Sequence, residues 1–270
     1  MNTANADAFH AWGACRPREF LLELPNLRFP APKDHPMSAS TTVDDFVIAA
    51  TATIAVPVNG GGLFPVRRIY CVGRNYAEHA REMGHDPDRE PPFFFGKPTD
   101  AIVIDGADVP YPSLTANLHH EVELVVAIGT GGADIAAADA PAYIFGYAVG
   151  LDLTRRDLQQ EARKAGRPWD MGKGFDHSAP IGEIARAATM GHPEQAWIEL
   201  RVNGETRQAA DVADMTWSVP EIIAELSRYI ALAPGDLIFT GTPAGVSALN
   251  RGDLLEGSVA GVGTVSVRIA

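Results

Sequence analysis

The segment His119-His120-Glu121-Val122-Glu123-Leu124 opens an apolar run that continues to Ile128. Side chains two apart on a strand share a face, so Glu121 and Glu123 are expected to point together. Two carboxylates that close repel each other unless a proton or a cation lies between them. An all-oxygen donor set suits Mg2+ or Mn2+ better than Zn2+. Asp152, in Gly150-Leu151-Asp152-Leu153, is an acid between two leucines. A buried unpaired charge is costly, which makes Asp152 the candidate third ligand. The alternative is an exposed strand face, with Glu121 and Glu123 in water and Asp152 paired with Arg155 or Arg156. A Glu-x-Glu pattern alone does not choose between them. His119 and His120 must face opposite ways, so only one can adjoin Glu121, and a supporting or packing role is expected for either.

His79 and Glu82 are three residues apart. On a helix they share a face, and a carboxylate beside an imidazole fixes its tautomer and raises its basicity. Such a pair suits a general base that takes a proton from water; a solvated surface pair is the alternative. Lys97 follows Phe93-Phe94-Phe95-Gly96, and Lys173 lies between Gly172 and Gly174. Either lysine can neutralise a carboxylate or a developing oxyanion, or lie on the surface. Gly241-Thr242-Pro243-Ala244-Gly245 offers a tight turn with a hydroxyl, but no GK[ST] follows it. The GxGxxG, GxSxG and HExxH patterns are absent as well, which disfavours nucleotide, dinucleotide and serine-hydrolase readings.

The elements that must position these groups are mostly strands. Strands are expected over 68–72, 93–95, 121–128, 143–153 and 237–240, and short strands over 41–58. The tail beyond Gly252 reads as strands joined by glycine turns. Helices are short: 77–83 with Asn75 as a possible cap, 158–165 ended by Gly166, and one after Ser218. That last helix has capping-box spacing to Glu221 and an apolar face of Ile222, Ile223, Leu226, Tyr229 and Ile230. Glycine and proline behind the 77–83 helix suggest a lid over 77–92 that orders around substrate. The fold class expected is mainly β with short helices, α+β rather than doubly wound. Residues 1–36 read as an atypical, flexible extension, with Met37 as a candidate start. Residues 37–62 read as a small β segment and linker, and 63–270 as the catalytic domain.

The chain has 270 residues, 22 of them basic against 34 acidic, for a formal net charge of −12. Phosphate binding needs a concentrated basic footprint, so a nucleic-acid partner is not expected. A small anionic substrate remains compatible, because a local cluster of cations can oppose the overall sign. Cys15 and Cys71 do not make a disulfide framework, and reduced thiols in a cytoplasmic protein are expected. No run of 18 apolar residues is present and the first residues lack a signal-peptide pattern, so neither a membrane span nor export is expected.

Taken together, five blocks resemble the fumarylacetoacetate hydrolase family: RRIYCVGRNYAEHAREMGHDPDREPPFFFGKP, HHEVELVVAIG, GLDLTRRDLQ, GRPWDMGKGFDHSAP and GDLIFTGTPAGV, spanning residues 67–246. Within that family the likeness is to bacterial fumarylpyruvate hydrolases of the gentisate route of aromatic-compound catabolism. The resemblance implies a mixed β-sandwich roll, a homodimer, and one Mg2+ or Mn2+ per subunit held by Glu121, Glu123 and Asp152. It implies His79 and Glu82 as the water-activating pair and Lys173 beside metal and substrate. It places Arg74, Lys97, Arg156, Gln159 and Thr242 around the substrate. The implied reaction is hydrolysis of a carbon–carbon bond in a 1,3-diketo acid, fumarylpyruvate giving fumarate and pyruvate; acylpyruvate hydrolysis and oxaloacetate decarboxylation are the alternatives. Arg74, Lys97 and Arg156 are the candidates for the distal carboxylate. Two positions depart from the family pattern: Leu151 stands where Asn is frequent, and Ser247 where Gly is frequent.

Overall fold

The apolar run after Glu121 forms strand β8 (Val122–Ile128), and every one of its residues is buried. Leu124, Val126 and Ile128 pack into one core while Val125 and Ala127 pack into a second. A strand covered on both faces has no use for polar alternation, hence the continuous apolar sequence. The computed structural model describes residues 47–78 and 90–270. Contacts divide the chain into two units, Met1–Thr51 and Ala52–Ala270. The described residues of the first, 47–51, contain no helix or strand. Residues 1–36, His79, Glu82 and the part of the expected lid from 79 to 89 lie outside the described residues.

β8 is central to an eight-stranded sheet. Its spatial order is β4 (Phe93–Lys97), β3 (Arg68–Gly73), β15 (Asp236–Phe239), β8, β9 (Ile144–Leu151), β11 (Ala179–Ile181) and β5 (Ile102–Ile104), with β12 (Ala185–Arg186) also pairing β9. β15 runs parallel to β3 and β11 parallel to β5; the β8–β9 pair is antiparallel. β4 and β5 are opposite ends of this order, yet only residues 98–101 separate them in sequence. Five chain steps span at most about 18 Å. The sheet therefore curls into a half-barrel.

A second sheet, β14 (Glu205–Asp211), β13 (Trp197–Val202), β16 (Leu254–Val259), β17 (Gly263–Ile269) and β6 (Asp108–Val109), packs against the first. Leu124, Val149 and Leu151 meet Ile198, Leu200 and Leu255 in the shared core. Each such aliphatic side chain contributes about 1.5–3 kcal/mol through burial. The other face of the large sheet is covered by Val56 and Phe64 of the hairpin β1 (Ala55–Pro57) and β2 (Leu63–Pro65). A further short pair, β7 (Leu118–His119) with β10 (Thr154–Arg155), lies beside the carboxylates. The helices are α1 (Arg156–Lys164), α2 (Asp170–Lys173), α3 (Ala187–Met190) and α4 (Val219–Tyr229).

The α+β reading with short helices holds. Boundaries shift in places. α1 begins two residues before the expected position, which brings Arg156 into its first turn. Within the described part of 41–58, strand structure is confined to Ala55–Pro57 and a bridge at Val58. α4 has its capping box and buries Ile222, Ile223 and Leu226, but Tyr229 is 67% exposed, with its ring edge toward Phe94. A phenol tolerates water at one end, so the last helical turn need not be covered. No helix among the described residues is long and apolar enough to cross a membrane.

Candidate metal centre and active site

Register explains why three acids meet. In the β8–β9 pair Val122 stands opposite Leu151 and Glu123 opposite Gly150. One step beyond the ladder, the Asp152 N–H donates to the Glu121 carbonyl oxygen at 2.8 Å. Glu121, Glu123 and Asp152 thus share one face of the pair, while Leu151 points into the core between the sheets. One oxygen from each of the three carboxylates lies within 4.8 Å of the others. All three residues are buried, so the exposed-face alternative is excluded.

The compensating cations also differ from that alternative. Lys173 Nζ donates to Glu121 Oε2 at 2.8 Å and to Asp152 Oδ2 at 2.6 Å. Arg156 pairs with Glu121, Nη2 to Oε1 at 2.6 Å, and also donates to the Gln159 side-chain oxygen. Arg155 turns away and lies over the Phe175 ring at 4.4 Å. Lys97 Nζ donates to the Lys173 and Leu153 carbonyls and stands 2.8 Å from Asp152 Oδ1. That contact is an ion pair, and no hydrogen bond to Oδ1 accompanies it. Neither lysine is a surface residue. Lys173 reaches the site because α2 packs tightly on α1: a Cβ on Gly172 would fall 2.9 Å from the Gln159 nitrogen.

Glu123 is the carboxylate that the lysines and Arg156 leave to a weaker donor. Its Oε2 accepts the Gly241 N–H at 2.7 Å. Gly241 adopts φ +99°, and a Cβ there would lie 2.6 Å from that of Asn75, so the turn that presents this N–H requires glycine. Burial, then Asp152 and Glu121, hold the Glu123 carboxyl well above the usual range, against the smaller pull of Lys173 and the Gly241 N–H. Burial disfavours the charged form of Lys173, but Asp152 and Glu121 outweigh it and raise its pKa.

These residues fit a divalent cation. Glu121, Glu123 and Asp152 are matched by buried Lys97, Arg156 and Lys173, so the formal charges cancel. A 2+ ion makes the centre cationic, as an anionic keto acid requires. The donors are hard carboxylate oxygens, one of them, Asp152 Oδ1, is buried without a hydrogen-bond donor, and Glu123 is held in a state that favours a proton or a metal. Mg2+ or Mn2+ is the matching ion.

The structure adds two buried amides that sequence reasoning overlooked as site residues. The Gln208 side-chain oxygen accepts from Val122 N–H at 3.1 Å and from His120 Nδ1 at 2.9 Å; its nitrogen donates to Thr242 Oγ1 and the Pro243 carbonyl, both at 2.8 Å. An amide oxygen only accepts, so His120 carries its proton on Nδ1 and its Nε2 accepts from Ser247 Oγ at 2.9 Å. Burial lowers the His120 pKa and keeps the ring neutral. Thr242 spends its own proton on the Val122 carbonyl at 2.8 Å. Asn75 is not a helix cap: its side chain donates to the Thr240 and Trp217 carbonyls and accepts from Trp217 N–H. Buried amides carry no charge or spacing signal, which is why a linear reading passes over them. His119 supports Arg156: Nδ1 faces Arg156 Nε at 3.5 Å and Nε2 pairs with Asn117 Oδ1 at 2.9 Å. Burial, then Arg156, push its pKa down to about 4.

Glu121 and Glu123 floor a cleft walled by Arg74, Phe95, Gln159 and Trp169 among others. Arg74 closes β3 with φ +60°, a strained conformation for a non-glycine residue and one that recurs at ligand sites.

The pattern of the fumarylacetoacetate (FAA) hydrolase C-terminal family matches residues 68–270. The chain belongs to the fumarylacetoacetate hydrolase family. Fumarylpyruvate hydrolase of Ralstonia sp is 46% identical over 189 residues, 69% of this chain and 98% of that protein. The crystal structure of fumarylpyruvate hydrolase from Pseudomonas aeruginosa, in complex with Mn2+ and pyruvate, superposes with a TM-score of 0.82 at 53% identity, covering 83% of this chain and 99% of that one. The mitochondrial oxaloacetate tautomerase of Rattus norvegicus is 43% identical over 202 residues, 75% of this chain and 90% of that protein. As a fumarylacetoacetate hydrolase family member, the chain keeps its carboxylate face intact despite Leu151, which lies on the opposite face. Its Ser247 acts on His120 rather than on the acids.

Proposed function

We propose that this protein is a metal-dependent hydrolase that cleaves the carbon–carbon bond of a 1,3-diketo acid, fumarylpyruvate, into fumarate and pyruvate. The observation that carries the reading is the convergence of Glu121, Glu123 and Asp152 on one buried point, with Lys173 Nζ bridging two of them. The likeness to fumarylpyruvate hydrolases, one of them solved with Mn2+ and pyruvate, supports the substrate. When bound, the divalent cation supplies a Lewis acid for the keto-acid end of the substrate.

The chain's own groups do the rest. His79, with Glu82 as its carboxylate partner, accepts a proton from water; their spacing three apart supports this assignment. The water oxygen adds to the carbonyl carbon of the fumaryl group, the one bonded to the methylene. The bond from that carbon to the methylene then breaks, its electron pair passes to the pyruvate fragment as an enolate, and a proton returned to the methylene gives pyruvate. Lys173 contributes an ammonium held charged by Glu121 and Asp152, ready to balance the growing negative charge. Gln159 and Arg156 shape the wall beside it, and Thr242 positions the loop that carries the Gly241 N–H. The working unit is a homodimer in the cytoplasm, as the family resemblance implies.

The test is direct. Purified protein with Mn2+ or Mg2+ is expected to bleach the diketone absorbance of fumarylpyruvate and release fumarate and pyruvate in equal amounts, and to stop when the metal is chelated. The relationship to oxaloacetate tautomerases supports a second reading, keto–enol interconversion of oxaloacetate. Tautomerisation of oxaloacetate without cleavage of fumarylpyruvate would establish that reading and reject the first; release of CO2 from oxaloacetate would point to a decarboxylase.

A further inference from the structure

Of the cations weighed for the distal carboxylate, two are already committed. Lys97 is buried, with its ammonium against Asp152, Leu153 and Lys173. Arg156 spreads its guanidinium over Glu121, Gln159 and His119. Arg156 lines the cleft beside the carboxylates, whereas Lys97 stands behind Asp152 and is not among the lining residues. Farther out the charge is carried by Arg74 and Arg163, which line the same cleft and the wider groove that continues from it.

Helix α1 sets the spacing. Arg156, Gln159, Gln160 and Arg163 all face the cleft, as positions i, i+3, i+4 and i+7 of one helix must. Arg156 sits at the carboxylates and Arg163 two turns away, about 10 Å along the axis. Arg163 is exposed, whereas Arg74 is half-buried. Among the described residues Arg74 meets Glu90 at 3.8 Å, and the Glu90 side chain is itself 72% exposed. Burial, and then neighbouring Arg163, draw the Arg74 guanidinium below its ordinary value. Two cations held near each other at a cleft mouth are relieved by an anion between them. Phe95 and Trp169, their ring centroids 5.9 Å apart, give the passage between floor and mouth flat apolar walls. An acidic side chain, Asp170, lines the outer groove as well.

We propose that Arg163, together with Arg74, binds the carboxylate at the far end of the substrate and makes the site selective for dicarboxylic diketo acids over simple acylpyruvates. The unsaturated chain of the substrate lies along the Phe95 and Trp169 walls, and its far carboxylate takes the place of Glu90 on Arg74. This rests on the diketo-acid reading above and names the residues that choose among such acids.

The test uses two keto acids that cannot undergo the cleavage, 2-oxopimelate and 2-oxoheptanoate, which share a chain length and differ in the terminal carboxylate. Calorimetry on the Mn2+-loaded protein is expected to show 2-oxopimelate binding roughly ten- to hundredfold more tightly, the range of a charge-assisted hydrogen-bonded pair. R163Q and R74Q should each reduce that preference about tenfold, R163K should keep part of it, and rising salt should erode it. The distant surface control R228Q should keep the wild-type preference. In turnover, R163Q should lower the kcat/KM ratio of fumarylpyruvate to acetylpyruvate mainly through KM for fumarylpyruvate. An unaltered binding preference in R163Q would overturn the inference, as would equal binding of the two acids by the wild type. Failure of the wild type to cleave fumarylpyruvate would instead count against the proposed function, and the binding comparison would still report on Arg163.

Discussion

Asp152 and Glu121 face each other across the antiparallel β8–β9 pair, joined by the Asp152 N–H to the Glu121 carbonyl at 2.8 Å. The bond fixes two acids, 31 positions apart in the sequence, on one face of one sheet. Because the backbone enforces their proximity, removing a charge from one side chain leaves the other in place.

Glu123→Ala is therefore expected to weaken Mn2+ affinity by about a hundredfold or more through loss of a carboxylate ligand, with the β-sheet content intact. Calorimetric titration beside circular dichroism checks it. Unchanged affinity would remove Glu123 from the ligand set.

Lys173→Met should act in opposite directions on the two roles of this lysine. In chelator, two buried carboxylates lose their shared ammonium, and stability should fall by about 3–5 kcal/mol. Saturating Mn2+ should restore a large part of that loss, because the metal offsets the same charges. Turnover should stay low even when the protein is loaded. Urea unfolding with and without metal, run beside the assay, separates these effects.

Metal affinity should fall as pH is lowered. Burial beside Asp152 and Glu121 raises the Glu123 carboxyl in the metal-free protein, so a cation must displace its proton. For this group the metal-free fold gains stability below the ordinary carboxyl range and loses it as pH rises through the raised value. Metal-loaded protein should show the reverse trend. Proton release on Mn2+ binding, measured in buffers of different ionisation enthalpy, tests the sign; no release would contradict it.

Gln208→Leu keeps volume but strands Val122 N–H, His120 and Thr242 without their shared partner. A cost of about 1–3 kcal/mol is expected, with kcat reduced by displacement of the Gly241 N–H rather than by loss of a reacting group. A pH–rate profile of unchanged shape would accompany that role; a lost ionisation would make Gln208's network part of the chemistry.

His79→Ala should leave Mn2+ binding intact and slow turnover roughly 10²–10⁴-fold. Full activity would remove it as the base.

The amino-acid sequence by itself determined the chemistry available. Glu121 and Glu123 share a face because a strand alternates, and that rule needs no partner strand. Asp152 between two leucines signalled a charge with a purpose, and the apolar run through Ile128 signalled a strand; that both of its faces are covered emerged only from the fold. Tertiary structure decided which cation answers which acid. Nothing local tells that Lys173, rather than Arg155 or Arg156, bridges Asp152, because that pairing depends on α2 docking against α1 through Gly172. The same holds for Gln208 and Asn75, whose uncharged amides acquire meaning only when distant backbone groups arrive at hydrogen-bonding distance. Arg163 carries no signal of its own in the sequence, and only the docking of its helix beside the carboxylates brings it to the cleft.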